Sequence, residues 1–255
     1  MFEKEFPILE FDEDKKAFIR PENIIKPIDI PERCVLCFFG EAIEKILSEY
    51  PNRIIAYFKA ESLKLPIYEI EYKSEKIALI QAAVGAPLAG GQIDELTAYG
   101  CKKFICCGSC GVLQKELTVG HLIIPTSAIR DEGTSYHYVK PSREIYANES
   151  VIQKIEETLL EQSVPYIKAK TWTTDAFYRE TPLKIQQRKK EECVTVEMEA
   201  SAYMAVAQYN NVTFGQILYA GDNLGGEEWD KRGYSSRTEI REFILRLALD
   251  ICLKL

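Results

Sequence analysis

Val194–Tyr209 reads VTVEMEASAYMAVAQY. A β-branched run, Val194–Val196, gives way within four residues to Ala200–Tyr209, whose small and apolar residues predict a helix. This is a strand-to-helix junction, and two carboxylates, Glu197 and Glu199, flank Met198 inside it. Placing acids at a buried junction costs desolvation energy, so they are expected to have a task. A carboxylate only accepts hydrogen bonds, and its two oxygens suit adjacent hydroxyls such as those of a ribose. The positive end of a helix also welcomes an acid. That accounts for one Glu more readily than for two.

Outward from this junction, strands and helices alternate along the chain. Strands are predicted at Cys34–Phe39, Ile67–Tyr72, Lys76–Ala82, Phe104–Cys107, Leu122–Ile129, Tyr166–Thr173 and Thr213–Ala220. A hairpin is expected around Lys73–Glu75. Helices are predicted at Glu41–Tyr50, from the glycine-rich loop Gly85–Gly91 through Tyr99, at Ser150–Glu161 with Ser150 as N-cap, at Pro182–Lys190 and at Arg237–Leu253. Such alternation predicts a single α/β domain, a mostly parallel mixed central sheet flanked by helices. Residues 1–30 are polar and punctuated by proline, and read as an N-terminal extension on the surface or on a partner subunit. The α/β domain is expected over 31–255. Ligands of such sheets bind at the carboxyl ends of the strands.

Composition narrows the function classes. The 255 residues carry a net charge of −7, which argues against broad contact with nucleic acid or an anionic membrane. The acidic N-terminus has no apolar stretch of the signal-peptide kind, so a cytoplasmic protein is expected. Eight cysteines include the pairs Cys34/Cys37 and Cys107/Cys110. They lie in apolar runs, and odd spacing on a strand points two side chains to opposite faces. They read as small buried hydrophobes rather than metal ligands, and no metal is expected.

Three further segments carry chemistry. Gly108-Ser109-Cys110-Gly111 follows the run FICC and reads as a tight turn whose backbone N–H groups and Ser109 hydroxyl could meet an oxyanion. Asp222, in YAGDN after an apolar strand, is a candidate general acid toward a leaving group. Phe177 and Tyr178 could stack on a base or ribose, or equally plug the core.

In chain order, AAVGAPLAGGQIDELTAYGCKKFICCGSCGVL, VGHLIIPTSAIRDEGTSYHY, TTDAFY, VTVEMEASAYMAVA and LYAGDN resemble nucleoside phosphorylases of the trimer-or-hexamer type. That group holds bacterial purine nucleoside and uridine phosphorylases. The resemblance spans roughly residues 32–225 and implies a nucleoside phosphorylase-like fold. It implies that Glu199 grips the ribose 2′- and 3′-hydroxyls, that Met198 packs under the sugar and that Glu197 lies beside it, with His137 near the sugar. Phe177 and Tyr178 would line the base pocket together with Gly108 and Asp222, and Asp222 would be the acid at the departing base. Ser109 and Gly108 would contact phosphate. The implied reaction cleaves the N-glycosidic bond of a purine nucleoside or uridine with phosphate, giving free base and pentose 1-phosphate. Phosphate is then a co-substrate, no cofactor is needed, and a homodimer or homohexamer is the expected assembly.

The chain departs from the family pattern at the phosphate. The turn that usually carries an arginine reads Phe38-Phe39-Gly40-Glu41-Ala42-Ile43, and the place two residues before the Gly-Ser loop is Cys106. Near the position of a third, partner-supplied arginine stands only Lys64. Arg130 is the substitute assigned here, with Arg20, Arg33 and Arg53 as further candidates. This departure keeps open a hydrolytic nucleosidase on the same fold, using water, and a non-catalytic nucleoside-binding protein. The polar loop Gly225–Arg237, with Lys231, Arg232 and Arg237, is a candidate lid. Gln186-x-Arg188 lies in a predicted helix and receives no role.

Overall fold

The apolar runs pair into one mixed sheet in a computed structural model that describes residues 2–233 and 237–255. Its strands are β1 (Arg33–Cys37), β2 (Asn52–Ala60), β3 (Leu63–Tyr72), β4 (Glu75–Gln81), β5 (Lys103–Val112), β6 (Leu122–Asp131), β7 (Glu144–Tyr146), β8 (Tyr166–Thr174), β9 (Cys193–Glu197) and β10 (Thr213–Asn223). The helices are α1 (Pro21–Ile24), α2 (Gly40–Glu49), α3 (Ala86–Tyr99), α4 (Glu149–Glu161), α5 (Pro182–Lys190), α6 (Ala200–Asn210) and α7 (Thr238–Lys254). The order is β2-β3-β4-β1-β5-β9-β8-β6-β10, with β7 on β6, and β10 also pairs with β5. Strands β5, β9, β8, β6 and β10 therefore close into a ring, and β1, β4, β3 and β2 extend from it as a wing. Parallel ladders join β4, β1, β5 and β10 and join β6, β8 and β9. Antiparallel pairings close the ring at β5–β9 and β6–β10 and build the wing.

Helices cover both faces. On one, α2, α4 and α7 bury Ile43, Ile46, Ile155, Leu245 and Leu249 against Val35, Cys107 and Tyr219. On the other, α3 and α6 bury Ile93, Leu96, Tyr203 and Val206 against Cys34, Leu36, Phe104 and Cys106. Cys34 and Cys37 thus fall on opposite faces, as odd strand spacing requires. All eight cysteines are buried. Cys110, Val112, Ile123, Ala169, Leu218 and Ala220 fill the ring.

Several strands run further than expected, and the extensions of β5 and β10 matter for the site. Gly108–Gly111 is not a turn: it continues β5 in register with β10, where Ser109 pairs with Tyr219. Glycine is required at 108 by close approach, since a Cβ would stand 2.8 Å from the Phe38 ring. Gly108→Ala should cost ~1–3 kcal/mol by overpacking. Gly91→Ala, whose Cβ would meet nothing nearer than 4.0 Å, serves as the neutral control in thermal unfolding. Strand β10 likewise continues to Asn223, with an irregularity between Ala220 and Asn223 that re-aims Asp222. The strand β2 was not anticipated. Helix α4 is capped by Asn148, which accepts from Ser150 N–H, rather than by Ser150 itself.

The segment before β1 lies against its own chain. Ile25 is buried, Ile28 N–H donates to Tyr99, and Lys15 reaches the carbonyl and ring of Tyr209. Met1 lies outside the described residues.

Candidate active site

The β9–α6 junction is held by its own carboxylates. Glu197 ends β9, opposite Thr173 of β8, and is buried. One of its oxygens accepts Thr173 Oγ1 at 2.6 Å, and the other accepts the backbone N–H groups of Glu199 at 2.7 Å and Ala200 at 2.5 Å. Thr173 Oγ1 in turn accepts Ser201 N–H at 3.0 Å. Glu197 is thus engaged by protein donors and acts as a brace for the turn. Its neighbour Glu199, also buried, stands at the cap position of α6 and accepts Gly85 N–H at 2.7 Å. Gly85 has φ 95°, a left-handed conformation that favours glycine and turns its N–H toward Glu199. Half-buried Met198 lies between the two acids.

A third buried acid joins them. Glu132 accepts Ser135 N–H at 3.0 Å, Ser201 Oγ at 2.9 Å and the Ser135 hydroxyl. Burial raises Glu197 above the ordinary carboxylate range against the pull of its donors, and the Glu132 charge adds to the rise. Burial, then the Glu197 charge, raises Glu199 likewise. Such a cluster strongly favours any ligand that donates hydrogen bonds into it or carries positive charge.

At the end of β10, Asp222 Oδ2 accepts Trp229 Nε1 at 2.7 Å, which ties the following loop back over the strand. Glu180 is close enough to feel the Asp222 charge. Burial first, and Asp222 second, push its carboxyl up to about 7. Just before it, Phe177 and Tyr178 lie against one another, tilted by 39° with centroids 4.0 Å apart, and are 49% and 89% exposed. They do not plug the core; they stand open at the strand ends. His137 is exposed on the short turn Ser135–His137, and no contact joins it to Glu199 among the described residues.

The phosphate assignments fare unevenly. Half-buried Ser109 sits on β5 beside Tyr219, with Gly108 under Phe38. Arg130 must be withdrawn from the phosphate. Its Nε donates to Ser135 Oγ, Nη1 to Lys140 O and Ser142 Oγ, and Nη2 to Val139 O, so its donors already hold the 135–142 loop. Arg33 pairs with Glu75, Arg53 with Glu69, and Arg20 with Glu22 and Asn23. Lys64 lies over the Tyr57 ring, and Cys106 is fully buried. The candidate lid lies partly outside the described residues, which omit 234–236. Within it, Arg232 donates to Leu117 O, and Arg237 to Lys231 O and Arg232 O.

Sequence reasoning missed Glu132, Gly85, Thr173, Glu180 and Trp229. Glu132 had a readable signal, because an acid three residues before Ser135 is the spacing of a local side-chain-to-backbone turn. The others depend on long-range register.

A family model described as Phosphorylase superfamily matches residues 32–249. Guanosine phosphorylase of Halorubrum lacusprofundi is 23% identical over 197 residues, covering 75% of this chain and 81% of its own. Among solved structures, purine nucleoside phosphorylase from Toxoplasma gondii in complex with immucillin-H superposes with a TM-score of 0.76 at 21% identity, covering 89% of this chain and 92% of its own. AMP nucleosidase from Bacteroides thetaiotaomicron superposes at 0.71 and 22% identity, covering 88% and 89%. These two likenesses speak to the fold. The match over most of the chain establishes that it belongs to the phosphorylase superfamily.

Proposed function

We propose that the chain cleaves the N-glycosidic bond of a purine nucleoside or uridine and passes the pentosyl group to phosphate. The observation that carries this reading is the buried Glu197–Glu199 junction. Glu197 spends its oxygens fixing the turn, and Glu199 is thereby presented to accept the sugar hydroxyls. Hydroxyl donors stabilise the carboxylate form that burial disfavours, so sugar binding and ionisation of Glu199 reinforce each other. As the bond breaks, the sugar gains oxocarbenium character and nearby anions stabilise it. Asp222, held by Trp229 at the end of β10, gives the departing base its proton or hydrogen bond. The exposed Phe177–Tyr178 pair would stack on the base. Relatives that carry the name phosphorylase support the choice of acceptor.

A second reading, hydrolysis, is favoured by one observation: the arginines considered for phosphate are engaged elsewhere. The fold likeness to AMP nucleosidase is consistent with it. Inosine, adenosine and uridine incubated with pure protein, with and without phosphate, separate the two. Base release that requires phosphate and yields pentose 1-phosphate is expected. Equal rates without phosphate, with free pentose as product, would overturn phosphorolysis. Binding of all three without turnover would instead support the non-catalytic reading. We also propose a homo-oligomer in the cytoplasm, the mass being checked by light scattering.

A further inference from the structure

If phosphate is the acceptor, a cation is needed beside Ser109, and the expected arginines do not supply it. We propose that Arg241, on the first turns of the C-terminal helix α7, is the anion-binding cation of the Ser109 site, and that Glu41 is a counter-charge which phosphate displaces. The proposal rests on the phosphorolysis reading above.

Three observations carry it. Ser109 and Tyr219 are register partners on parallel strands, so their side chains leave the sheet on the same face. That face is the one covered by α2 and α7, where Tyr219 is buried. The Tyr219 hydroxyl accepts Arg241 Nε at 3.3 Å, which brings the guanidinium over the strand ends on the Ser109 side. Second, Arg241 lies over the Phe39 ring at 4.9 Å, and Phe39 itself packs on Tyr219 at 5.7 Å. Phe39 follows β1 and precedes Gly40, the first residue of α2, within the turn where the family places its arginine. The charge missing from that turn is thus delivered to it by a different element. Third, Arg241 Nη1 donates to Glu41, in the first turn of α2. The arginine side chain is 16% exposed and the glutamate 42%. One partner is fixed by ring and hydroxyl; the other stands at the solvent edge.

An ion pair with a half-exposed carboxylate contributes little, so exchange for a doubly charged anion is favourable. Guanidinium presents paired donors that match phosphate oxygens, and its stacked face is held in place. The Ser109 hydroxyl completes the set from β5.

The test uses two variants with opposite expected signs. Arg241→Gln should raise KM for phosphate by about tenfold or more, the weight of one charged hydrogen-bonding group. KM for the nucleoside should stay within about threefold. Arg241→Lys should recover part of the loss. Glu41→Gln should lower KM for phosphate, because the cation is released from its competitor. A pair that only staples α2 to α7 would lower the melting temperature in both variants and leave phosphate KM unchanged; that result overturns the proposal. Should base release prove independent of phosphate, phosphorolysis itself fails, and calorimetric titration with inorganic phosphate decides the site. Binding that is lost in Arg241→Gln sustains it. Absent binding, or equal binding in both proteins, overturns it.

Discussion

Asp222→Ala should lower kcat by about 10²- to 10⁴-fold, the usual weight of a positioned general acid, while KM for the nucleoside moves by less than about threefold. The asymmetry follows from where Asp222 stands. It lies at the carboxyl end of β10, where it would meet the base rather than the sugar hydroxyls, so its removal leaves ground-state binding largely intact. Asp222→Asn keeps an acceptor for the Trp229 indole and therefore keeps the loop in place, but it cannot deliver a proton. The difference between the two variants isolates proton delivery from loop positioning. Steady-state kinetics on a purine nucleoside measure both, and unchanged turnover in Asp222→Ala would remove Asp222 from the chemistry.

Glu197→Ala should destabilise the fold by about 2–4 kcal/mol, because several buried donors lose their acceptor at once. Four donors lose their acceptor: the Thr171 and Thr173 hydroxyls and the backbone N–H groups of Glu199 and Ala200. Relief of the desolvation cost of a buried acid offsets only part of this. Denaturant unfolding measures the loss. In any fraction that stays folded, Glu199 loses its fixed turn and nucleoside KM rises. A loss below about 1 kcal/mol would mean that the turn holds without its brace.

These carboxyls also set a pH dependence. Glu180, Glu197 and Glu199 are all raised in the folded chain from an ordinary value of 4.5. Between 4.5 and their folded values, the folded chain holds protons that the unfolded chain has released. Their contribution to stability is therefore full below about 4.5 and is lost as pH rises through the folded value of each, about 7 for Glu180 and higher for Glu199. Melting temperature followed over that interval should fall less steeply in Glu180→Gln than in the parent. An identical slope in the two proteins would show that Glu180 keeps no proton of its own.

The β9–α6 junction was legible because a helix N-terminus explains one acid more readily than two. Pro182–Lys190 was read to the residue, because proline starts that helix. Gly108–Gly111 misled, since glycine signals both a turn and a close approach. Only the Phe38 ring, seventy positions earlier, decides between them. Arg130 misled for the opposite reason. An arginine near a predicted site looks available until the carbonyls of its own loop are in view. Phe177 and Tyr178 were ambiguous between core and pocket, and exposure settles the first half of that question. Glu180, Trp229 and Arg241 carry no local signal, because each acquires meaning only from a strand end or loop that the sheet brings to it.

The pairing of β5 with β10 has a consequence for how the molecule comes into being. It joins segments separated by more than a third of the chain, and the ring does not exist until β10 has left the ribosome. The β2, β3 and β4 strands of the wing can form from local hairpins beforehand. The positions proposed for sugar, base and anion cannot, because each depends on a strand of the closed ring. A nascent or truncated chain therefore has no partial activity to offer. Closure over so long a separation is the natural slow step of folding.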